Sequence, residues 1–306
     1  MSTKISKQRV EDTGFVSFAR RLVCQLSQVG KYRTAERYSV VLNSFLCFLD
    51  EEELPWPEMD SQRILGYEMY LKHRGVCPNT SSFYLRNLRA MYNRAVAQGF
   101  TVQQFPFRYV YTGVDKTLKR AVPIKVVRRI RNLDLSSQPV VEWARDLFLF
   151  SFYTRGMSFV DMAFLKKKDL RNGILSYRRQ KTGQLLYIKW EPMMQAIVSK
   201  YETSDTPYLL PIIRDMSKDE RRQYINASHL VNTKLKKIGK EIGLAIPLTM
   251  YVARHGWASI AKTQNVSVSV ISEAMGHDSE KTTRIYLASL DTTAVDRANS
   301  AVLEAL

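Results

Sequence analysis

The chain has 306 residues, of which 46 are Lys or Arg and 29 are Asp or Glu, giving a formal net charge of +17 at pH 7. This length favours two domains, since one domain usually has about 100–200 residues. The charge favours a polyanionic partner: nucleic acid first, with ribosomal or anionic membrane contacts as alternatives. No apolar run approaches the roughly 18–20 residues of a membrane span, so we expect a cytoplasmic protein without a membrane partner.

Cysteine, histidine and glycine usage argues against several kinds of site. The three cysteines never form Cys-x-x-Cys, and the four histidines form no zinc-binding motif. The thirteen glycines form neither a Walker A loop nor a dinucleotide-binding motif. We therefore expect reduced thiols, no metal and no cofactor.

Residues up to about 110 are predicted to be helical. Downstream of Thr34, apolar residues recur at helical spacing up to Leu49, before an acidic stretch and Pro55. The preceding turn carries Lys31 and Arg33. These cations either bind phosphate near the N-terminus of the helix or belong to a solvated turn.

A second helix is predicted after Pro78, with one apolar face that packs. Its opposite face is predicted to be free and carries Arg86, Arg89 and Asn93. Arginine pairs with guanine or phosphate and asparagine with adenine. This face either lies against a DNA groove or is simply a basic, solvated face.

A basic linker is predicted at residues 113–122, where turn residues occur with Lys119 and Arg120 and no amphipathic period is present. It divides the chain into an N-terminal domain, residues 1–112, and a second domain, residues 123–306. Such a linker can follow a DNA backbone while the two domains clasp the duplex from opposite sides.

The second domain is predicted to begin with a helix at Pro123, followed by an apolar helix through Tyr153. The clearest strand signal is a hairpin, in which Ile174–Arg178 and Leu185–Lys189 flank a loop with Lys181. The remainder is predicted to be helical, with breaks at residues 207–211 and 239–247. Apolar residues at helical spacing in 295–306 predict a C-terminal helix.

Several residues occur in an informative order: Arg155, Lys181 in the hairpin loop, Arg254 followed by a histidine, His277 after a glycine, and Tyr286. The motifs Ala253-Arg254-His255, Met275-Gly276-His277 and Thr282-Thr283-Arg284-Ile285-Tyr286 carry a resemblance. In these motifs and their separations the chain resembles the tyrosine recombinases, the phage-integrase family, over most of its length.

The resemblance implies a role for each matching residue. Arg254, with Arg155, would hold the charge that gathers on a phosphodiester during displacement, because guanidinium groups match phosphate geometry. Tyr286 would be the nucleophile that forms a 3′-phosphotyrosyl bond. Lys181 would protonate the leaving 5′ oxygen, and His277 would donate a hydrogen bond to a non-bridging oxygen. Such chemistry needs neither metal nor ATP.

Two positions depart from the family pattern. Ser158 stands where the first arginine is expected, and we expect Arg155, three residues earlier on one helical face, to reach the same phosphate. Tyr251 stands where the family usually has a histidine. A phenol is a weak base near neutral pH, so the group that deprotonates Tyr286 is open.

The implied fold is mainly α-helical: a two-domain, C-shaped clamp with a SAM-like core-binding domain and an α+β catalytic domain that carries a small β-hairpin. The implied function is site-specific recombination of double-stranded DNA by a homotetramer at the nucleoid, with an accessory protein that bends DNA. The alternatives are a transposase or type IB-like topoisomerase with the same chemistry, and a catalytically impaired DNA-binding regulator.

Overall fold

The computed structural model describes residues 14–115, 121–287, 300 and 302–304. The chain divides into two compact units, Met1–Thr117 and Leu118–Leu306. Each unit has its own hydrophobic core. The mainly α-helical fold predicted from the sequence is confirmed.

The first unit consists of helices around an aromatic-rich core. Phe15, Phe45 and Tyr67 are fully buried and meet edge to face, the arrangement that the quadrupoles of aromatic rings favour. The prediction that the helix after Thr34 ends at Leu49, before the acidic stretch, is confirmed. The helices are α1 (Phe15–Gln28), α2 (Tyr32–Leu49), α3 (Ser61–His73) and α4 (Pro78–Ala97), with a 3₁₀ turn at Trp56–Glu58.

A carboxylate from a distant part of the chain caps the first helix. Gly14, the N-cap residue of α1, supplies no side-chain acceptor. Glu53 instead accepts hydrogen bonds from the backbone N–H groups of Val16 (2.7 Å) and Ser17 (2.9 Å), and from the Ser17 hydroxyl. A side chain added at Gly14 would collide with Leu54 and Glu53. Glycine therefore lets the carboxylate reach the N–H groups that every helix leaves unpaired.

The second unit packs helices around α6 and a small sheet. The fully buried Leu147, Phe148 and Phe150 on α6 belong to its core. Among the described residues no helix is long and apolar enough to cross a bilayer. The helices are α5 (Ile124–Arg131), α6 (Pro139–Tyr153), α7 (Phe159–Ala163), α8 (Pro192–Ser199), α9 (Glu220–Glu241), α10 (Met250–Thr263), α11 (Val268–Ala274) and α12 (Glu280–Leu287).

The sheet has three antiparallel strands in the order β1 (Leu170–Arg171), β2 (Ile174–Arg178) and β3 (Leu185–Lys189). The predicted hairpin strands have the bounds of β2 and β3. Leu175 and Tyr177 of β2 face the core, opposite Ile188 and Leu186 of β3. Strand β1 was not predicted, because its two residues are too few to show an alternating pattern.

Other boundaries differ from the prediction. Pro123 is the N-cap residue of α5 rather than its first helical residue. Residues 200–219 form a longer break than predicted, and α9 continues through Gly239 to Glu241. A Cβ at Gly239 would lie 2.9 Å from the Leu248 side chain, so this glycine permits close packing. Of the predicted C-terminal helix, residues 300 and 302–304 are helical and the rest lies outside the described residues.

Replacing Glu53 by Gln should loosen α1. We expect a loss of about 1 kcal/mol of stability, as when an N-cap acceptor is weakened, seen as faster hydrogen exchange at Val16 and Ser17 in the full chain. Exposed Glu52→Gln is the control and should leave this exchange unchanged.

The effect should also depend on pH. Burial raises the pKa of Glu53, but hydrogen bonds from the Ser17 hydroxyl and from backbone N–H groups outweigh it and lower the pKa below 4.5. A carboxyl with a lowered folded-state pKa stabilises the fold above its unfolded pKa and loses this as pH falls through the folded value. The difference between wild type and Glu53→Gln should therefore shrink below about pH 4.5. A constant difference would contradict the capping role.

Candidate active site

The β2–β3 hairpin places one arginine inside the second unit and one lysine at its surface. Leu175, Tyr177 and Arg179 alternate inward, and Arg179 is only 6% exposed. The Arg179 N–H donates to the Gln184 carbonyl (2.8 Å), and its carbonyl accepts from Gly183 N–H (2.8 Å), which closes the turn. Lys181, at the tip of this turn, is exposed.

A tight turn follows α6 and carries the residues at the expected first-arginine position. Arg155 and Gly156 both have positive φ, 60° and 76°. A Cβ at Gly156 would lie 2.7 Å from the Cα of Arg254, so the turn and α10 approach backbone to backbone. Ser158 is the N-cap residue of α7. The expectation that Arg155 and Ser158 share a helical face is wrong, because residues 154–158 form a turn.

Arg254 connects this turn to the loop before α12. Its side chain lies on α10 and is buried. The Nη1 atom donates to the Gly156 carbonyl (2.7 Å), and the Nη2 atom donates to the Met275 carbonyl (2.7 Å) and lies 3.0 Å from Nε2 of His277. The guanidinium thus holds segments that are 98 and 21 residues away in sequence.

His277 is held as a neutral imidazole. A guanidinium can only donate, so Nε2 accepts from Arg254 and Nδ1–H donates to the Thr283 hydroxyl (2.7 Å). Burial first, and then the charges of Arg254, Arg179 and Lys181, lower the pKa of His277 from 6.5 to about 4. Nε2 is therefore an acceptor here, whereas the sequence-based expectation made His277 a donor to phosphate.

These side chains line one cleft of about 570 Å³ in the second unit. Its walls include four cationic residues, and no carboxylate occurs among the described residues that line it. The cleft brings together Ser158, Arg179, Lys181, Tyr251, Arg254 and His277, with Lys236 and Asn232 from α9, but not Arg155. Over the described part of the chain, no group of three or more His, Cys, Asp or Glu side chains could hold a metal ion. The cleft can accept an anion.

The two tyrosines singled out from the sequence lie on different helices. Tyr251, in the first turn of α10, is 57% exposed, and its ring meets that of His255 edge to face at 4.3 Å. Tyr286 belongs to α12, three residues after Thr283, and its side chain lies outside the described part of the structure.

The predicted DNA-contacting residues of the first unit lie on α2 and α4. Lys31 is the exposed N-cap residue of α2, and Arg33 is exposed in its first turn. The face of α4 predicted to be free is partly covered: Arg89 donates to the Thr112 hydroxyl (3.3 Å), and Asn93 accepts from Gln103 (3.3 Å).

Arg86 of the same helix bonds the Ser82 carbonyl at 3.3 Å. The α4 face is thus only partly open to a groove. Lys119 and Arg120 of the predicted linker lie outside the described residues.

Sequence reasoning missed Arg179 and Lys236 as cleft residues. The signal for Arg179 was present, because side chains of a strand alternate and residue 179 continues the inward positions of Leu175 and Tyr177. An arginine at an inward position beside a loop lysine indicates a buried cation near Lys181. Lys236 gives no such signal, since it lies on a helix with several lysines.

Two family models match the chain over most of its length. "Phage integrase SAM-like domain" matches residues 14–109, and "Phage integrase family" matches residues 147–293. The chain belongs to the phage integrase family of tyrosine recombinases. The resemblance found in the motifs is thus confirmed, as is the pairing of a SAM-like with a catalytic domain. Tyrosine recombinases are DNA strand-exchange enzymes.

Similarity to individual tyrosine recombinases is low in sequence and clear in fold. The chain is 28% identical to tyrosine recombinase XerA of Saccharolobus solfataricus over 122 residues, 40% of this chain but only 37% of that relative. It is 23% identical to tyrosine recombinase XerC of Roseiflexus sp. strain RS-1, covering 88% and 85%. A lambda integrase tetramer bound to a Holliday junction superposes with a TM-score of 0.68, at 16% identity, covering 90% and 77%.

The state of His277 can be measured directly by ¹⁵N NMR of the imidazole. We expect a neutral ring protonated at Nδ1 at every pH from 5 to 8, because burial and three cations hold its pKa near 4. Replacing Arg179 by Met should raise that pKa by removing one of the cations. Exposed His73 and His229 provide reference signals in the same spectrum. A His277 that titrates near pH 6.5 would contradict the convergence of cations.

Proposed function

We propose that this tyrosine recombinase is a site-specific DNA recombinase that cleaves and rejoins DNA through a covalent 3′-phosphotyrosyl intermediate. The observation that carries the proposal is the cleft in which Arg254, His277 and Lys181 converge, next to the helix that bears Tyr286. Its cations fit the charge that develops on a phosphodiester under attack.

Cleavage of one DNA strand can be written with the side chains of the cleft, Tyr286 and water alone. The Tyr286 Oη attacks the phosphorus and gives up its proton to water, while the bond from phosphorus to the 5′ oxygen breaks. Lys181 donates a proton to that oxygen. Arg254 stabilises the non-bridging oxygens, His277 orients Arg254, and Tyr251 offers a hydroxyl donor. Because the phosphotyrosyl ester conserves the energy of the broken bond, a 5′ hydroxyl rejoins the strand without ATP.

The proposal includes partners and a division of labour. The N-terminal domain, residues 1–112, would contact double-stranded DNA through Lys31, Arg33, Arg86, Arg89 and Asn93. The linker, residues 113–122, would follow the DNA backbone with Lys119 and Arg120. The second domain, residues 123–306, would carry out catalysis. A homotetramer on paired sites is supported by the lambda integrase tetramer on a Holliday junction. An accessory protein that bends the DNA would complete the assembly.

Covalent trapping tests the proposal. A site is first selected from the DNA that flanks the gene by its binding to the protein. A nicked version of that site should then give a denaturant-resistant adduct with wild type and none with Tyr286→Phe. An absent adduct on a verified binding site would favour the DNA-binding regulator. Relaxation of a supercoiled plasmid without exchange between sites would favour the topoisomerase-like alternative.

The role of Lys181 can be separated from general binding. Lys181→Ala should slow cleavage by about 100-fold or more, the usual contribution of a general acid. A substrate with sulfur in place of the 5′ bridging oxygen should restore the rate, because thiols are far more acidic than alcohols and a thiolate leaves without a proton. Tyr286→Phe should not be restored by this substrate. An unrestored Lys181→Ala would contradict the acid role.

The DNA contacts of the first unit can be tested by the salt dependence of binding. The affinity of wild type should fall by orders of magnitude between about 50 and 200 mM salt, since each neutralised phosphate releases counterions. Lys31→Ala should reduce the slope of log K against log salt by about 1 if Lys31 contacts one phosphate. Exposed Lys72→Ala at the end of α3 serves as a charge-matched control with unchanged slope.

A further inference from the structure

The family pattern expects an arginine where this chain has Ser158, and Ser158 cannot replace it. Serine carries no charge, and its hydroxyl donates to Oδ2 of Asp161 (2.6 Å). The Oγ of Ser158 also accepts a weak hydrogen bond from the Asp161 N–H (3.4 Å) and thereby caps α7. Ser158 is therefore occupied in local structure, and a phosphate in the cleft would lack one guanidinium.

Arg155 is poorly placed to supply it. The residue sits at φ 60° in the turn after α6, and its side chain is not among those that line the cleft. The neighbouring Gly156 carbonyl, by contrast, is bound by Arg254. The turn thus contributes backbone to the site rather than the Arg155 guanidinium.

Arg179 meets the geometric requirement. It lines the cleft with Arg254, Lys181 and His277, and it is 6% exposed. Its Nη1 donates to the Gly276 carbonyl. Arg254 binds the carbonyl of the preceding residue, Met275. Two guanidinium groups, from β2–β3 and from α10, therefore hold consecutive peptide groups beside His277. They approach the same small volume, as the influence of both charges on the His277 pKa indicates.

The charge of Arg179 also lacks a counterion within the part of the chain that the structure describes. Among the described residues no carboxylate forms an ion pair with it, and its side chain bonds only the Gly276 carbonyl. Asp161, a buried acid that does not line the cleft, already accepts from the Ser158 hydroxyl and from the Gln180 N–H (2.9 Å). A buried guanidinium without an anion is costly unless a ligand supplies the charge. The remaining N–H donors of Arg179 suit a phosphate oxygen.

We infer that Arg179 is a catalytic residue of this recombinase, the second guanidinium on the scissile phosphate, and that it takes the place of the arginine replaced by Ser158. This inference rests on the proposed function. It assigns to the inward side of the hairpin a role in charge neutralisation, next to the proton donor Lys181 at its tip.

A methylphosphonate substrate tests the assignment, since replacing a non-bridging oxygen by methyl removes the negative charge that a guanidinium neutralises. On an ordinary phosphodiester, Arg179→Met should cleave about 100-fold more slowly than wild type or worse. On the methylphosphonate, Arg179→Met should come within about 10-fold of wild type. A merely structural role would not be rescued, because removing charge from DNA cannot repair a displaced loop.

Controls separate this result from others. Arg171→Met removes a charge from the exposed edge of the same sheet and should behave as wild type on both substrates. Arg179→Lys covers the case in which Arg179→Met does not fold: it keeps the charge but loses the fork, and its defect should be smaller on the methylphosphonate. If wild type itself forms no Tyr286-dependent adduct, the proposed function fails. If it does, and Arg155→Met is rescued by methylphosphonate while Arg179→Met and Arg179→Lys are not, the assignment of Arg179 is overturned.

Discussion

The candidate site depends on the contacts of one guanidinium. Arg254 leaves α10 and binds the carbonyls of Gly156 and Met275, so that the turn after α6 and the loop before α12 are fixed to the same group. Hydrogen bonds to a charged donor contribute about 1.5–3 kcal/mol each, and losing the donor would leave both carbonyls unsatisfied. A glycine at position 156 is required because α10 passes so close to it. The side chain that fixes these two segments is therefore also one that lines the cleft.

The cationic residues that line the cleft have no carboxylate beside them among the described lining residues. Elsewhere in the second unit the buried Arg145 and Asp146 form an ion pair at 2.8 Å, and the exposed Lys200 also binds Asp146 at 2.9 Å. In the cleft Arg179 has no such partner among the described residues. Cations that repel one another cost folding free energy, and a bound phosphodiester would offset this cost. The same field keeps His277 neutral, which preserves Nε2 as an acceptor for Arg254.

The sequence predicted elements whose pattern repeats and missed features set by single contacts. The hairpin strands were correct because their alternation spans five residues each. The helical relation assumed for Arg155 and Ser158 was wrong because α6 ends at Tyr153, and both Arg155 and Gly156 then take a positive φ. The break predicted to begin at Gly239 is wrong at that residue, because Gly239 lies inside α9 against Leu248.

Some residues of the cleft were predictable from motifs in the sequence, and others were not. Motif order predicted Lys181, Arg254 and His277, which the structure brings together. It could not predict Arg179 by motif, because that position matters only once the strand is known to face inward. Strand alternation, rather than the residue type, distinguishes it from the exposed Arg178 beside it.

The hydrogen bond between His277 and Thr283 makes the tautomer of the imidazole depend on the position of α12. Thr283 is fully buried on α12, one helical turn before Tyr286, and its hydroxyl accepts the hydrogen bond from Nδ1–H that fixes the imidazole tautomer. Any displacement of α12 that separates the two residues breaks this bond and releases the tautomer. The position of α12, which carries Tyr286, thereby controls whether Nε2 of His277 keeps the lone pair that accepts from Arg254.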